Sequence, residues 1–248
     1  MRLENKTAIV TGGASGFGAG IVQKFLAEGA KVMIADINGE VAEKFAAELG
    51  DNAISQRADV GNDKSVAGMM TRAIGDFGQV DIVVNNAGVT HLPNALEDVT
   101  EEDFDRVLAV NAKSVYLAAR HIVPHMKANK SGVILNVAST AGVSPRPRLS
   151  WYNASKGWMI TATKSMAVEL APFGIRVNAI NPVAGETPLL QSFMGEDTPE
   201  IREKFLSTIP LGRFSQPEDM GNAACFLCSD EASMITGVAM EVDGGRCI

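Results

Sequence analysis

Cysteine, histidine, tyrosine and tryptophan are all scarce in this chain: its 248 residues include 3 Cys, 3 His, 2 Tyr and 2 Trp. Three cysteines cannot build a disulfide framework. Basic residues are in deficit, 22 Lys and Arg against 29 Asp and Glu for a formal charge of -7, which removes general attraction for nucleic acid or anionic lipid. No run reaches the roughly 18 uninterrupted apolar residues that a membrane-spanning helix needs. Met1 to Val10 lead into a strand pattern with no cleavable apolar segment. The expectation is a cytoplasmic protein with small-molecule partners, no nucleic acid and no membrane. Two residual motifs point to packing. Cys225 and Cys228 form a CxxC, but in AACFLCSD helical spacing makes them core-facing neighbours. His121 and His125 are spaced to share a metal, yet no acidic third ligand falls in register, so no metal is expected.

With 46% hydrophobic residues the chain can bury the core of one sizeable domain, 1–248. Short β-branched runs alternate with amphipathic stretches, the pattern of an α/β doubly wound parallel sheet with helices on both faces. The spacing predicts strands at 7–11, 31–36, 53–58, 82–85, 133–138, 176–181 and 239–242. Helices are predicted at 16–28, 39–49, 63–77, 102–127, 152–170 and 217–228. The segment 182–211 carries Pro188, Gly195, Pro199 and Pro210 among apolar residues and predicts a long irregular substrate lid.

Two features carry chemistry. TGGASGFG, Thr11 to Gly18, joins the first strand to the first helix, where free amide groups can face a pyrophosphate if side chains do not block them. Gly12, Gly16 and Gly18 supply that clearance. Asp36 closes the second strand, where a carboxylate can accept bonds from the adenosine ribose; its alternative is a helix cap. A carboxylate there repels the extra phosphate of NADP, and Ser15, Ile37 and Asn38 offer no cation to hold one, so NAD is the expected cofactor. Arg57 is the nearest basic residue. Tyr152 and Lys156, four residues apart, place a phenol and an ammonium on one helical face.

TGGASGFG, NNAG at Asn85 to Gly88, Asn111, Ser139 and the Tyr152/Lys156 pair, in this order, resemble the classical short-chain dehydrogenase/reductase family along essentially the whole chain. The resemblance implies a Rossmann-like sheet of about seven strands. It implies an NAD-dependent oxidoreductase interconverting a secondary alcohol and a ketone, with Tyr152 as general acid/base. Lys156 and the positive nicotinamide would lower the tyrosine's pKa, and Lys156 would also hold the nicotinamide ribose. Ser139 would donate to the substrate oxygen, and Asn111 would anchor a relaying water. Ser15 and Phe17 in the turn, Asp36 and Ile37 after the second strand, Asp59 and Val60 beside the adenine, and Asn86, Ala87 and Gly88 would line the cofactor groove. Family members often read Pro-Gly after the sixth strand; here Pro182 is followed by Val183, with Gly185 displaced and Thr187 retained. Pro182, Val183 and Thr187 complete the implied cofactor set.

Substrate contacts are expected from Leu92, Val143, Leu149, Trp151, Leu190, Phe193 and Met194, which make an apolar pocket for a small substrate. Arg146 and Arg148 could grip a carboxylate or phosphate, or face solvent. The runner-up activity is 3-oxoacyl-[acyl-carrier-protein] reduction. Lys127 and Lys130 could meet the acidic carrier, but Phe173 stands where such reductases commonly place an arginine. A third reading is a non-catalytic NAD sensor. The resemblance also implies a homotetramer built through the helices at 102–127 and 152–170 and the C-terminal strand.

Overall fold

The computed structural model describes all residues, 1–248, and shows one seven-stranded sheet, every strand parallel, in the order β3-β2-β1-β4-β5-β6-β7. The strands are β1 Thr7–Thr11, β2 Lys31–Asp36, β3 Ala53–Arg57, β4 Ile82–Asn85, β5 Gly132–Val137, β6 Ile175–Pro182 and β7 Ala239–Val242. Helices α1 Gly16–Ala27, α2 Gly39–Leu49, α3 Asp63–Phe77, α5 Ser114–Asn129, α6 Ser150–Leu170 and α9 Pro217–Cys228 flank the sheet.

Parallel pairing needs crossovers, and crossovers cover both faces, so the strands read as apolar runs whose alternate residues serve two cores. Ala8, Val10, Val32, Ile34, Ile82 and Val84 enter one core with Phe25 of α1 and Met220 of α9. Ile9, Met33, Ala35 and Val83 enter the other with Met69 and Met70 of α3 and Ile122 and Met126 of α5. Cys225 and Cys228 belong to the first core, and burial pushes the Cys228 thiol well above its usual range, so the CxxC is apolar packing here. Helix α1 meets α9 through two glycines. A Cβ on Gly20 would stand 2.2 Å from the Pro217 carbonyl oxygen, and one on Gly221 2.6 Å from that of Gly20.

Chain order reverses between β1 and β4: β1 connects outward to β2 and β3, whereas β4 to β7 run the other way. Carboxyl ends of strands at such a switch point diverge into a crevice, which positions the site.

Two expected elements differ from the structure. The predicted helix over 102–127 is divided into α4 Glu101–Leu108, a π-helical turn Ala109–Lys113, and α5. The expected irregular lid contains α7 Leu190–Met194 and α8 Pro199–Leu206, packed on a small core of Val183, Leu190, Met194, Ile209 and Phe214. Thr198 caps α8 by accepting from the Ile201 amide, and Pro199 sits in its first turn, where no amide hydrogen is required. The feet of this segment are tied together: Glu186 N–H donates to the Ser215 carbonyl at 2.9 Å, and Ser215 N–H to that of Ala184 at 3.2 Å.

His121 meets Asp63 at 2.9 Å, and His125 accepts from the Val80 amide at 3.3 Å, so the two rings serve separate partners. No three His, Cys, Asp or Glu side chains converge as a metal site would require, and no helix is long and apolar enough to cross a membrane.

Candidate active site

A cavity of about 600 Å³ opens at the switch point. Its lining includes Gly12, Ser15, Gly16, Phe17, Asp36, Ile37, Asp59, Val60, Asn86, Ala87, Gly88, Ser139, Tyr152, Lys156, Pro182, Val183 and Thr187. Of the sequence-derived set, Gly18 and Asn111 stand behind the wall.

The glycine-rich turn is built for close approach. Gly12 and Gly16 have φ of 59° and 52°, the left-handed region that disfavours a Cβ. A Cβ on Gly18 would lie 2.1 Å from the Gly12 carbonyl oxygen, and one on Gly12 2.9 Å from Ala87 Cα. Asn86 locks the arrangement: its Nδ2 donates to the carbonyls of Thr11 at 2.9 Å and Gly12 at 3.0 Å. The Asn86 side chain therefore holds the turn in shape.

Asp36 is not a helix cap. Asn38 caps α2, accepting from the Val41 amide at 3.2 Å, while each Asp36 oxygen receives one amide bond, from Ala14 at 3.2 Å and Asn38 at 3.0 Å. A carboxylate has more acceptor capacity than two bonds consume, leaving lone pairs for ribose hydroxyls. Asp59 receives the Gly61 amide at 2.9 Å, with Val60 buried beside it.

At the other end, Tyr152 and Lys156 are 5% and 4% exposed, too little for solvent to set their titration. Burial raises the phenol to about 12, partly offset by a hydrogen bond with Ser139 and by the charge of Arg146. Burial lowers the ammonium to about 8. The expected lowering belongs to Lys156 acting together with a positive nicotinamide; in the protein alone, burial holds the phenol above its ordinary value. Lys156 Nζ donates to the Val137 carbonyl at 2.8 Å and stands 6.0 Å from the phenol ring centroid, and burial of the phenol is the largest influence on its titration.

Ser139 follows β5 and lines the cavity beside Tyr152. Its Oγ accepts from the Ala141 amide at 3.0 Å, capping a short turn, and its hydroxyl also meets Tyr152. Asn111 is fully buried in the π-helical turn. Its Nδ2 donates to the Val89 carbonyl at 2.9 Å and Ser155 Oγ at 3.0 Å, and its Oδ1 accepts from the Val89 amide at 2.9 Å. A Cβ on Gly88 would lie 3.4 Å from Lys156 Nζ and 3.6 Å from Asn111 Oδ1, so the two heads meet at one corner beside this glycine.

The displaced glycine after β6 keeps the loop close to the turn. A Cβ on Gly185 would sit 2.4 Å from the Phe17 ring, and one on Gly16 3.1 Å from Thr187 Cβ. Leu149 and Phe193 line the cavity as expected, Phe193 edge-on to Tyr152 with centroids 5.0 Å apart. Leu190 and Met194 turn into the lid's own core, while Leu92 and Val143 are exposed. Trp151 packs on Phe104 and donates to the Leu96 carbonyl at 3.2 Å. Arg148 is exposed, but Arg146 lines the cavity. Phe205, Val110, Leu189 and Pro188 also line it. Of these, Phe205 was visible as the helical partner of Ile201 once α8 is recognised.

Comparison with known proteins agrees with this geometry. A family model described as enoyl-(acyl carrier protein) reductase matches residues 12–246. The chain is 50% identical over 252 residues to a 4-formylbenzenesulfonate dehydrogenase of Comamonas testosteroni, covering 100% of both. It is 39% identical over 252 residues to a 3-oxoacyl-[acyl-carrier-protein] reductase of Thermotoga maritima, again covering 100% of both. A crystal structure of 3-ketoacyl-(acyl-carrier-protein) reductase from Brucella melitensis complexed with NADH superposes with a TM-score of 0.95 at 51% identity, covering 99% of this chain and 100% of that one. The glycine turn, half-buried Ser139 beside buried Tyr152 and Lys156, and these full-length matches place the chain in the classical short-chain dehydrogenase/reductase family.

Proposed function

We propose that the protein is an NAD(H)-dependent oxidoreductase that interconverts a secondary alcohol and a ketone on a small, largely apolar substrate. The observation that carries this reading is the buried Tyr152 hydroxyl, beside Ser139, facing the same cavity as the glycine turn and Asp36. The residues fit NAD: the turn at the start of α1 carries no side chain at Gly12, Gly16 or Gly18 to bar a pyrophosphate, and Asp36 offers free lone pairs to a ribose but repels a 2′-phosphate. The cofactor supplies or accepts the hydride.

Everything else falls to side chains of this chain. In reduction the phenolic hydroxyl, protonated at neutral pH, donates its proton to the carbonyl oxygen as charge develops there. Ser139 Oγ–H donates a hydrogen bond to that same oxygen, in a site where low dielectric strengthens it. In oxidation the phenolate must form first, and the Arg146 charge favours it. Lys156 is positioned by the Val137 carbonyl, and Asn111 holds the Val89 backbone beside it.

The test is NADH formation or consumption at 340 nm with a panel of secondary alcohols and ketones. Tyr152→Phe should lower turnover by about 10²- to 10⁴-fold while sparing NADH binding. Persistent turnover in that variant refutes the assignment, and NADH binding without turnover in the unaltered enzyme favours an NAD sensor.

The family description and the Thermotoga and Brucella names favour acyl-carrier reduction as a second reading. Against it, Phe173 stands where such reductases commonly place an arginine and packs under Lys127, whose Nζ lies 4.1 Å from the ring centroid, so this corner presents one cation fewer to an acidic carrier. A homotetramer and a cytoplasmic location complete the proposal. Exposed Tyr116 on α5 and Trp158 and Val168 on α6 support assembly through those helices.

A further inference from the structure

The wall near Tyr152 carries a cation with nothing to neutralise it. Of the charged side chains lining the cavity, Asp36 and Asp59 follow β2 and β3, Arg106 is paired with Asp103 at 2.6 Å, and Lys156 is bonded to the Val137 carbonyl. Arg146 remains. Five other arginines, Arg2, Arg72, Arg106, Arg202 and Arg213, form ion pairs, and Arg146 forms none. Its guanidinium lies over the Phe205 ring, 4.3 Å from the centroid. Its backbone is fixed because Asn153 Nδ2 donates to the Arg146 carbonyl at 2.7 Å.

A second arginine deepens the imbalance. Arg246 donates to Ser144 Oγ at 3.3 Å, forms no ion pair, and has a buried Nε with no partner. Burial first, and then the charge of Arg246, hold the Arg146 guanidinium below its usual range. Two neighbouring cations without a counter-charge are unfavourable in a partly desolvated site, and an entering anion would relieve that cost. Phe193 against Tyr152 and Phe205 beneath Arg146 give the cavity aromatic, apolar wall beside both the phenol and the cation.

Resting on the redox reading above, we propose that Arg146 is a specificity-determining residue that binds an anionic group, so that the preferred substrate is an aromatic alcohol or carbonyl compound bearing a carboxylate or sulfonate. The guanidinium fork receives the two anion oxygens, Phe205 and Phe193 cover the ring, and the carbonyl oxygen points to Tyr152. Proton and hydride balance is that of the parent reaction: the anion is a handle and undergoes no change.

The test compares 4-acetylbenzoate with its neutral isostere 4-acetylbenzamide, both as ketones reduced by NADH and as ligands titrated calorimetrically into the enzyme–NADH complex. The unaltered enzyme should favour the benzoate by about 10-fold or more in kcat/KM. Arg146→Gln should collapse that ratio by about 10- to 100-fold, and Arg146→Lys should restore part of it. A ratio near one in the unaltered enzyme overturns the proposal, as does a parallel loss for both ketones in Arg146→Gln, which is what a purely structural arginine would produce. Should Arg146→Gln fail to fold, the calorimetric preference of the unaltered enzyme and the Arg146→Lys ratio decide. The two readings fail separately: turnover of both ketones with no preference sinks only the anion site. Arg146-dependent benzoate binding without any turnover sinks only the redox reading.

Discussion

Replacing Lys156 by methionine should make the protein's stability respond to pH in a specific way. The ammonium is 4% exposed and burial moves its pKa from 10.5 to about 8. At about 1.36 kcal/mol per pKa unit, the fold carries a penalty of about 3 kcal/mol whenever that group is charged. Below pH 8 the lysine is protonated in both folded and unfolded chains, and the penalty is complete. Between about 8 and 10.5 the unfolded chain binds more protons at this site than the folded one, so stability rises with pH and the penalty disappears. Lys156→Met removes the titration but strands the Val137 carbonyl, a fixed cost of about 1–3 kcal/mol at every pH. The informative quantity is therefore the change in the variant-minus-parent difference between pH 7 and pH 10.5. Urea unfolding followed by circular dichroism should show the variant losing about 3 kcal/mol relative to the parent over that interval. Tyr152 works with the opposite sign, since a phenol raised to about 12 costs stability as pH climbs from 10 toward 12. Lys156 is not among the groups acting on it, so that contribution cancels in the comparison. A difference independent of pH, or one that grows in the variant's favour as pH rises, would refute the reasoning.

Further outcomes follow from the cofactor end and the helix contact. Asp36→Ala should narrow the ratio of kcat/KM for NAD over NADP by about 10²-fold, because it removes a like-charge contact with the 2′-phosphate; an unchanged ratio, or a native preference for NADP, contradicts the assignment. Gly20→Ala places a methyl 2.2 Å from the Pro217 carbonyl oxygen and should destabilise the protein by about 1–3 kcal/mol as α1 is forced from α9. Gly68→Ala in α3 meets nothing within 4 Å and should stabilise it by about 0.5–1 kcal/mol. Calorimetric midpoints moving the same way in both alanine variants would sink the close-contact argument.

The sheet was legible because its signal is local. Continuous apolar runs such as TAIVT and KVMIAD are buried on both faces, and turns bounded by glycine fix their ends to within a residue or two. The proposed catalytic group was legible as order and spacing through a family resemblance, and the structure brings Ser139, Tyr152 and Lys156 to one wall. The π-helical turn was not. AVNAK, residues 109–113, has no breaker. What accompanies the widening is tertiary: Asn111 spends both ends of its amide on Val89 and Ser155. The lid shows a different limit. Its prolines read as interruptions, yet Thr198-Pro199-Glu200 holds a cap, a first-turn proline and an acidic residue, the start of α8. The tyrosine pKa lay beyond the sequence for a third reason, since spacing gives adjacency on a helix but not the degree of desolvation that decides the sign.

Because Glu186 and Ala184 clasp Ser215, the excursion carrying α7 and α8 leaves the body of the molecule and returns at nearly the same point. Beyond Thr187, Pro188 and Leu189, which line the crevice, its sequence can vary while both feet stay pinned, as a handle can be reshaped while its two rivets stay put. Selection on substrate range can therefore act on about two dozen residues at little cost to folding, and grafting this excursion between relatives is the economical way to redirect the enzyme.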